Sequence, residues 1–474
     1  MSKRFRFIFK LFGILFAVFY LVSCSRQKPN IILFLVDDLG WRDVSFAGST
    51  FYETPNIDKL ASEGSVFTNS YAAHPRCVPS RYAIMTGKFP ARANIPANTE
   101  TMDSSEVTIA EVLKDNGYTT FFAGKWHLGK KESEWPQNQG FDFNAGGCSA
   151  GAPISYFFPY NEKKYLSSHN AKRIIGLENG IEGEYLTDRL TKETIKFINE
   201  NSNLPFFACV AHYAVHTPLE AKQELINKYD KKLAGMTFKG DEFTFGPDGR
   251  QKMHQNNPTY AAMVESMDES LGSIIRTLKE KGLYDNTIII FTSDHGGLSN
   301  SGINNRRKLA TTNLPLRAGK GHIYEGGIKI PTIVRWNGHT VSGSTIDEVI
   351  TGTDYYPTIL EMAGIPLKPE LHKDGISFVP AIHEKKINEQ REFFWHSPKA
   401  RPASTGDHNC TVIRKGNFKM FHFYDSDSLE LYDLAKDPNE KNNLANSLPL
   451  NKDELYNYIL NWKNEIVAPD QEKD

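Results

Sequence analysis

The chain has few cysteines, no surplus of either charge and no apolar run long enough to cross a bilayer, and each absence closes a class of function. Five cysteines among 474 residues exclude a disulfide scaffold. With 55 Lys and Arg against 56 Asp and Glu, and a formal net charge of −1, nothing is in excess to neutralise a nucleic-acid backbone. The apolar run from Leu11 to Val22 has 12 residues, short of the roughly 18–20 that span a hydrocarbon core. No repeat and no low-complexity segment points to a solenoid or a disordered tail. What is present is a globular composition, 40% hydrophobic and 12% aromatic, long enough for a large α/β domain with a smaller partner.

At the N-terminus Lys3, Arg4, Arg6 and Lys10 precede the apolar run, giving the charged and apolar regions of a secretory signal over residues 1–23. The run closes on Leu21-Val22-Ser23-Cys24, which resembles a bacterial lipoprotein box, cut before a cysteine that is then acylated. On that reading lipid on Cys24 attaches the protein to the membrane, residues 24–28 are its tether, and the chain is exported to the bacterial cell envelope, on the periplasmic or the outer-membrane side. The plainer alternative is a signal peptide with an incidental cysteine.

Beyond residue 29, short apolar β-branched runs alternate with helical stretches, the pattern of βαβ units and a parallel sheet covered on both faces. The ends of these runs carry the chemistry. Ile31–Val36 stops at Asp37-Asp38-Leu39-Gly40, Thr119–Ala123 at Gly124-Lys125-Trp126-His127, Leu204–Ala211 at His212 and then His216-Thr217-Pro218, and Thr287–Phe291 at Thr292-Ser293-Asp294-His295-Gly296. In open parallel sheets the binding crevice lies outside the carboxyl ends of the strands, so four runs deliver acids, histidines and a lysine to one edge. One Asp pair at a strand end reads as a turn or a helix cap. Two acid-bearing strand ends read as a metal site, because gathered carboxylates repel unless a cation lies among them. Oxygen ligands with one imidazole suit Ca²⁺ or Mg²⁺ better than zinc. Asp37 and Asp38 are neighbours, and both can face one ion only where the strand gives way to a turn.

Between the first two of these runs lies His74-Pro75-Arg76-Cys77-Val78-Pro79-Ser80-Arg81, continuing to Thr86-Gly87. Pro79 suits the first turn of a helix reaching about Thr86, with Cys77 at or just before its N-terminus. That position favours an anion, and Arg81 one turn on adds a clamp. By itself such a cysteine is a buried thiol, half of a disulfide or a reactive thiolate.

Cys77-x-Pro79-x-Arg81 with Thr86-Gly87 resembles the signature of formylglycine-dependent (type I) sulfatases, whose cysteine is oxidised to an aldehyde residue by a dedicated maturation enzyme. The surroundings match in order: Asp37-Asp38 with Gly40; Thr54-Pro55-Asn56-Ile57-Asp58 with Leu60; Gly124-Lys125-Trp126-His127-Leu128-Gly129; His216-Thr217-Pro218; Ser293-Asp294-His295-Gly296; Gly319-Lys320-Gly321 leading to Tyr324-Glu325-Gly326-Gly327 and Pro331. Leu431-Tyr432-Asp433-Leu434 with Asp437-Pro438 resembles the closing segment of the family. The resemblance implies an alkaline-phosphatase-like fold, with a large, mostly parallel, helix-flanked sheet over residues 29–372 and a smaller C-terminal antiparallel-sheet subdomain over residues 373–474.

The resemblance also implies roles. One Ca²⁺ is held by Asp37, Asp38, Asp294, His295 and an oxygen of residue 77; many relatives carry Asn where His295 stands. Cys77, converted to 3-oxoalanine (formylglycine), hydrates, and one hydroxyl attacks sulfur. Arg81 and Lys125 position it and neutralise the sulfate, His216 and Lys320 face the ester oxygen, and His127 takes the proton whose loss releases sulfate. The substrate implied is a sulfated carbohydrate, with no nucleic acid as partner. Two rivals stand beside this reading: a phosphate- or phosphonate-ester hydrolase of the same superfamily, and a non-catalytic glycan-binding lipoprotein.

Other residues are bland by expectation. His212 reads as structural, Cys209 as a buried thiol, and Cys148 and Cys410 as free or paired. Arg306-Arg307-Lys308 suits flanking sulfates of a polyanion, but a three-residue basic run is more often a solvated loop. The run Ile330–Trp336 and the helical Asp354–Ile359 complete the large sheet, with a boundary expected between Leu371 and Gly375, where Pro366, Pro369 and Gly375 cluster. Glu392–Trp395, Thr411–Arg414, Phe418–Phe423 and Leu429–Leu434 read as strands and Lys452–Glu465 as a closing helix. The polar loop Lys399–Asn409 is placed to return to the active-site edge. Substrate choice falls to residues 130–185, 231–258 and 300–315, which carry no legible motif.

Overall fold

A computed structural model describes residues 28–93, 95, 101–160, 171–172, 174–302, 307–387 and 391–466. The signal segment and Cys24 lie outside these residues. Among the described residues no helix is long and apolar enough to cross a membrane.

The centre of the molecule is an eight-stranded sheet. Its strands are β1 (Asn30–Val36), β2 (Ser65–Tyr71), β3 (Thr119–Gly124), β4 (Phe143–Ala145), β5 (Phe206–Ala211), β6 (Thr287–Ser293), β7 (Thr332–Arg335) and β8 (Ser344–Thr351). They lie in the order β8-β2-β7-β6-β1-β5-β3-β4. Every neighbouring pair is parallel except β6 with β7 and β7 with β2, so β7 alone runs against the rest. β1 lies inside, paired residue for residue with β6 and β5.

All seven residues of β1 are buried because both faces of the sheet are covered. Ile32, Phe34 and Val36 point into one core with Ile57 and Leu60 of helix α1 (Pro55–Glu63) and the inner faces of the later helices Leu186–Glu200 and Pro258–Glu280. Ile31, Leu33 and Leu35 point into the other, with Tyr82 and Met85 of α2 (Cys77–Thr86), Leu113 of α3 (Ile109–Asp115), and Tyr356 and Leu360 of the helix Tyr355–Met362. Each fully buried Ile, Leu or Phe contributes roughly 1.5–3 kcal/mol, and two such layers hold the strand ends in fixed register.

Four antiparallel strands, β9 (Glu392–Ser397), β10 (Cys410–Lys415), β11 (Phe418–Phe423) and β12 (Ser428–Asp433), form the smaller sheet in sequence order. One face packs Trp395, Val412 and Phe421 against Tyr71, Tyr324 and Ile328 of the large domain. The other packs Ile413, Met420 and Leu431 under Leu455 and Ile459 of the closing helix Pro449–Ile466. Phe378, Val379 and Ile382, which follow the expected boundary at residue 372, pack in the large-domain core with β1. Residues 373–387 therefore complete the large domain before the chain enters the smaller sheet.

Candidate active site

The carboxyl ends of β1, β3, β5 and β6 meet the N-terminus of α2 at one edge of the sheet. At the end of β1 the backbone of Asp38 turns to φ 63°, a left-handed conformation that Asp tolerates better than most residues. The turn breaks strand alternation and lets Asp37 and Asp38 face one centre. The Asp38 N–H donates to Asp294 Oδ1 at 3.2 Å, and Leu39 N–H to Ser293 Oγ at 3.2 Å, tying the turn to the end of β6.

Cys77 is the first residue of α2 and is buried, with Sγ 3.1 Å from His295 Nε2 and 3.7 Å from Asp37 Oδ1. Lys125 Nζ, wholly buried after β3, lies 2.6 Å from Asp37 Oδ2. Arg81 donates from Nε to Asp294 Oδ2 at 2.9 Å and from Nη1 to the Lys125 carbonyl at 2.6 Å. On the other side Lys320 Nζ donates to both Asp38 oxygens, at 2.6 and 2.8 Å, and His216 Nε2 stands 3.8 Å from Asp38 Oδ2. His127 hydrogen-bonds Cys77. All ten residues named from the sequence therefore converge on a single buried pocket.

Glycine makes this convergence sterically possible. A Cβ on Gly124 would stand 2.0 Å from the Ala211 carbonyl, and Gly124 adopts φ +100°. A Cβ on Gly319 would stand 2.3 Å from Ser299 Oγ and 2.6 Å from the Gly297 carbonyl. Lys125 and Lys320 are each carried into the pocket by a backbone that only glycine lets pass.

Charge is unevenly settled here. Burial drives the Asp37 carboxyl well above the usual range against the pull of Lys125. For Asp38, burial is outweighed by Lys320, His216 and His295, which hold it well below that range. Burial is likewise outweighed at Cys77, whose thiol is driven down by Lys125, Lys320 and His295. Burial and nearby lysines bring His216 to about 3 and His127 to about 4, so both are neutral imidazoles near pH 7.

Asp37, Asp294, His295 and Cys77 offer ligand atoms all within 4.8 Å of one another. His295 donates from Nδ1 to the Gly296 carbonyl at 3.1 Å, which leaves its Nε2 lone pair facing Cys77, Asp38 and Asp294. An imidazole oriented by a carbonyl behind it, among hard carboxylate oxygens, is a donor set for Ca²⁺ or Mg²⁺. The Asp37 carboxyl, driven upward by burial, is the group that a divalent cation would relieve.

Three further residues reach the pocket. His74 is buried with neither ring nitrogen hydrogen-bonded, and feels the charge of Arg76 and His295. The loop Lys399–Asn409 does return to this edge: Arg76 donates to the Lys399 carbonyl at 2.7 Å and pairs with Asp407, and Arg401 lies close enough to feel Cys77. Arg307 feels both Asp38 and Cys77. The sequence singled out the basic run at Arg307 and the loop that carries Arg401, while His74 stood just before Cys77 with no role given to it. His212, by contrast, is structural, its Nε2 2.9 Å from Ser270 Oγ and its ring against Phe34. Cys209 and Cys410 are buried free thiols, and Cys148 is buried with its sulfur 4.0 Å from the Tyr213 hydroxyl.

A nucleophile position at a helix N-terminus, backed by a hard-metal donor set and flanked by two lysines and an arginine, defines a hydrolase of anionic esters on an alkaline-phosphatase-like fold. A family model described as sulfatase matches residues 29–365, and another, described as the C-terminal part of N-sulphoglucosamine sulphohydrolase, matches residues 318–460. The chain belongs to the sulfatase family, whose members are sulfuric ester hydrolases. It is 30% identical to a sulfatase of Formosa agariphila, over 93% of this chain and 89% of that one, and 29% identical to the N-acetylgalactosamine-6-sulfatase of Homo sapiens, over 82% and 72%. The solved structure of Ps i-CgsB in complex with k-i-k-neocarrahexaose is 30% identical, with a TM-score of 0.74 over 92% of this chain and 93% of that one. A phosphonate monoester hydrolase of Agrobacterium radiobacter, 20% identical with a TM-score of 0.65 over 92% and 96%, shares the fold.

Proposed function

We propose that the protein is an exported lipoprotein sulfatase that hydrolyses sulfate monoesters on carbohydrate, with Cys77 oxidised to formylglycine and one Ca²⁺ held by Asp37, Asp38, Asp294, His295 and an oxygen of residue 77. The observation that carries this reading is Cys77 itself, buried at a helix N-terminus between a hard-ligand cluster and the cations Lys125, Arg81 and Lys320. Carbohydrate as substrate is supported by the names of the relatives, an N-acetylgalactosamine-6-sulfatase and a complex with neocarrahexaose. When bound, the oxidised residue and the cation supply the nucleophilic hydroxyl and a fixed positive charge beside it.

The chain's own side chains do the rest. Lys125 and Arg81, held by Asp37 and Asp294, present positive charge where sulfuryl oxygens gather it in the transition state. Lys320, anchored on Asp38, carries the proton that the departing alkoxide needs. Neutral His216 sits beside it, its ring fixed by an Nδ1 hydrogen bond of 2.6 Å to the Thr217 carbonyl. His127, also neutral and touching residue 77, is placed to remove a proton there and so release sulfate.

The test is mass spectrometry of the tryptic peptide Cys77–Arg81 from protein made in its own host: oxidation to formylglycine lowers its mass by about 18 Da. An unmodified thiol in fully active protein would sink the mechanism, and a higher kcat/KM on phosphate esters than on the matching aryl sulfate would return the phosphatase reading. Lipid on Cys24 is read from the mass of the mature N-terminal peptide.

A further inference from the structure

Beside the catalytic pocket lies a cleft of about 400 Å³, lined by Arg250, Lys252, Arg307, Lys308, Phe243 and Glu242 among others. Its walls are the hairpin of Phe243–Gly246 and Gly249–Lys252, which pairs with the strand Asn300–Ser301, and residues 307–309. The strand Asn300–Ser301 follows the ligand loop Asp294–His295 by a few residues, and Lys252 N–H donates to the Ser299 carbonyl at 2.8 Å. The cleft is thus joined to the catalytic edge by backbone.

Its charge is unspent. Glu242 is taken up by Lys252 at 2.7 Å. Among the described residues, that leaves the guanidinium groups of Arg250 and Arg307 and the exposed Lys308 without a facing carboxylate inside the cleft. Arg250 is held against the Phe243 ring at 4.4 Å and donates from Nη2 to the Arg307 carbonyl at 2.9 Å, yet its Nε has no partner. Arg307 Nη1 is buried and unpartnered, as is Asn256 Oδ1, which follows the strand of Arg250. Three buried polar atoms without partners on residues that line the cleft, Arg250 Nε, Asn256 Oδ1 and Arg307 Nη1, mark a surface that a polar ligand completes, since each costs roughly 1–3 kcal/mol while unsatisfied. The charges of Asp38 and Cys77 also act on Arg307, which sets this cleft near the catalytic pocket.

We infer that this cleft is a second anion subsite: it receives a sulfate or carboxylate on a sugar unit adjoining the one whose sulfate ester is cleaved, so the substrate is an oligosaccharide with at least two anionic groups. The inference rests on the sulfatase reading for its orientation, but the binding it requires is measurable without turnover. The volume suits one sugar ring, and guanidinium pairs suit oxyanions.

The test is calorimetry on the full chain carrying Cys77→Ala, at about 50 mM salt, where a Debye length of roughly 14 Å leaves the cleft unscreened. The probes are a sulfated carrageenan tetrasaccharide and the same tetrasaccharide after chemical desulfation. Expected are sulfated-probe binding at least tenfold tighter than desulfated, a loss of about tenfold or more in Arg250→Ala/Lys308→Ala and in Arg307→Ala, and no such loss in Lys196→Ala, which removes one charge from the exposed face of another helix. Equal binding of the two probes, or cleft variants that bind as Lys196→Ala does, overturns the inference. Aryl-sulfate turnover by the mature enzyme is measured separately: its absence would sink the sulfatase reading and leave the binding result standing.

Discussion

At Cys77, burial that would raise the thiol is outweighed by Lys125, Lys320 and His295, which drive it well below the usual thiol range. Replacing it with Ala removes the atom on which the chemistry turns and leaves α2 packed as before. Cys77→Ala should therefore lose at least about a thousandfold in kcat on an aryl sulfate, with Tm, read by calorimetry, shifting by no more than a few degrees. Cation removal tests the acids. Dialysis against a calcium chelator should lower both activity and Tm, and added Ca²⁺ should restore both, because ligand that binds only the folded state stabilises it by mass action; an unchanged Tm would count against a structural ion among Asp37, Asp294 and His295. These residues were legible in the sequence because each stands at the end of an apolar run or beside a glycine. His74 and Arg401 were not, because neither stands at a strand end: His74 precedes Cys77 with no part in the Cys-x-Pro-x-Arg spacing, and Arg401 is one of several polar residues in a loop whose return alone was legible.

Among elements, β1, β3, β5 and β6 were legible as unbroken apolar runs, which is how strands buried on both faces read. β2 and β8 were not singled out: Ser-Val-Phe-Thr-Asn-Ser-Tyr and Ser-Thr-Ile-Asp-Glu-Val-Ile-Thr mix polar residues with apolar ones, and β8 is the exposed edge of the sheet. The reversal of β7 was equally unreadable, since strand direction leaves no mark on composition. The end of β3 offers a sharp test of how an element aims a side chain. Gly124→Ala forces a Cβ to within 2.0 Å of the Ala211 carbonyl at a backbone angle that L-residues avoid. It should cost roughly 2–4 kcal/mol in chemical denaturation and at least about a hundredfold in kcat/KM through displaced Lys125. A variant that loses neither would show that the β3–β5 contact does not place the lysine.

On the scale of the whole molecule, the two sheets are joined by an ionic knot. Lys419 Nζ, wholly buried on β11, lies 2.9 Å from both Glu325 Oε1 and Glu440 Oε1, and Arg414 bonds the Tyr71 hydroxyl, which donates to Glu325 at 2.7 Å. Removing the shared cation in Lys419→Ala leaves two buried carboxylates facing each other, and should cost about 3–5 kcal/mol by denaturant unfolding. Burial, with Glu325 as a like-charged neighbour, raises the Glu440 carboxyl from 4.5 to about 7. The folded state then holds that proton more tightly than the unfolded chain. Its contribution to stability is full below pH 4.5 and is lost as pH rises through about 7. Glu440→Gln should accordingly flatten the fall in stability across this window; an identical slope in both proteins would place the titration elsewhere. The acid cluster was legible in the sequence alone, because strand-end position is written in adjacent residues, and the nucleophile position and its cations were legible through the resemblance of Cys77-x-Pro79-x-Arg81 and its surroundings to a family signature. Which distant residues complete the pocket, which residue of the Lys399–Asn409 loop reaches it, the direction of β7 and the unspent charge of Arg250 and Arg307 were decided only by tertiary structure. Each of these depends on side chains far apart in the chain meeting in a medium of low dielectric, and no local pattern records that meeting.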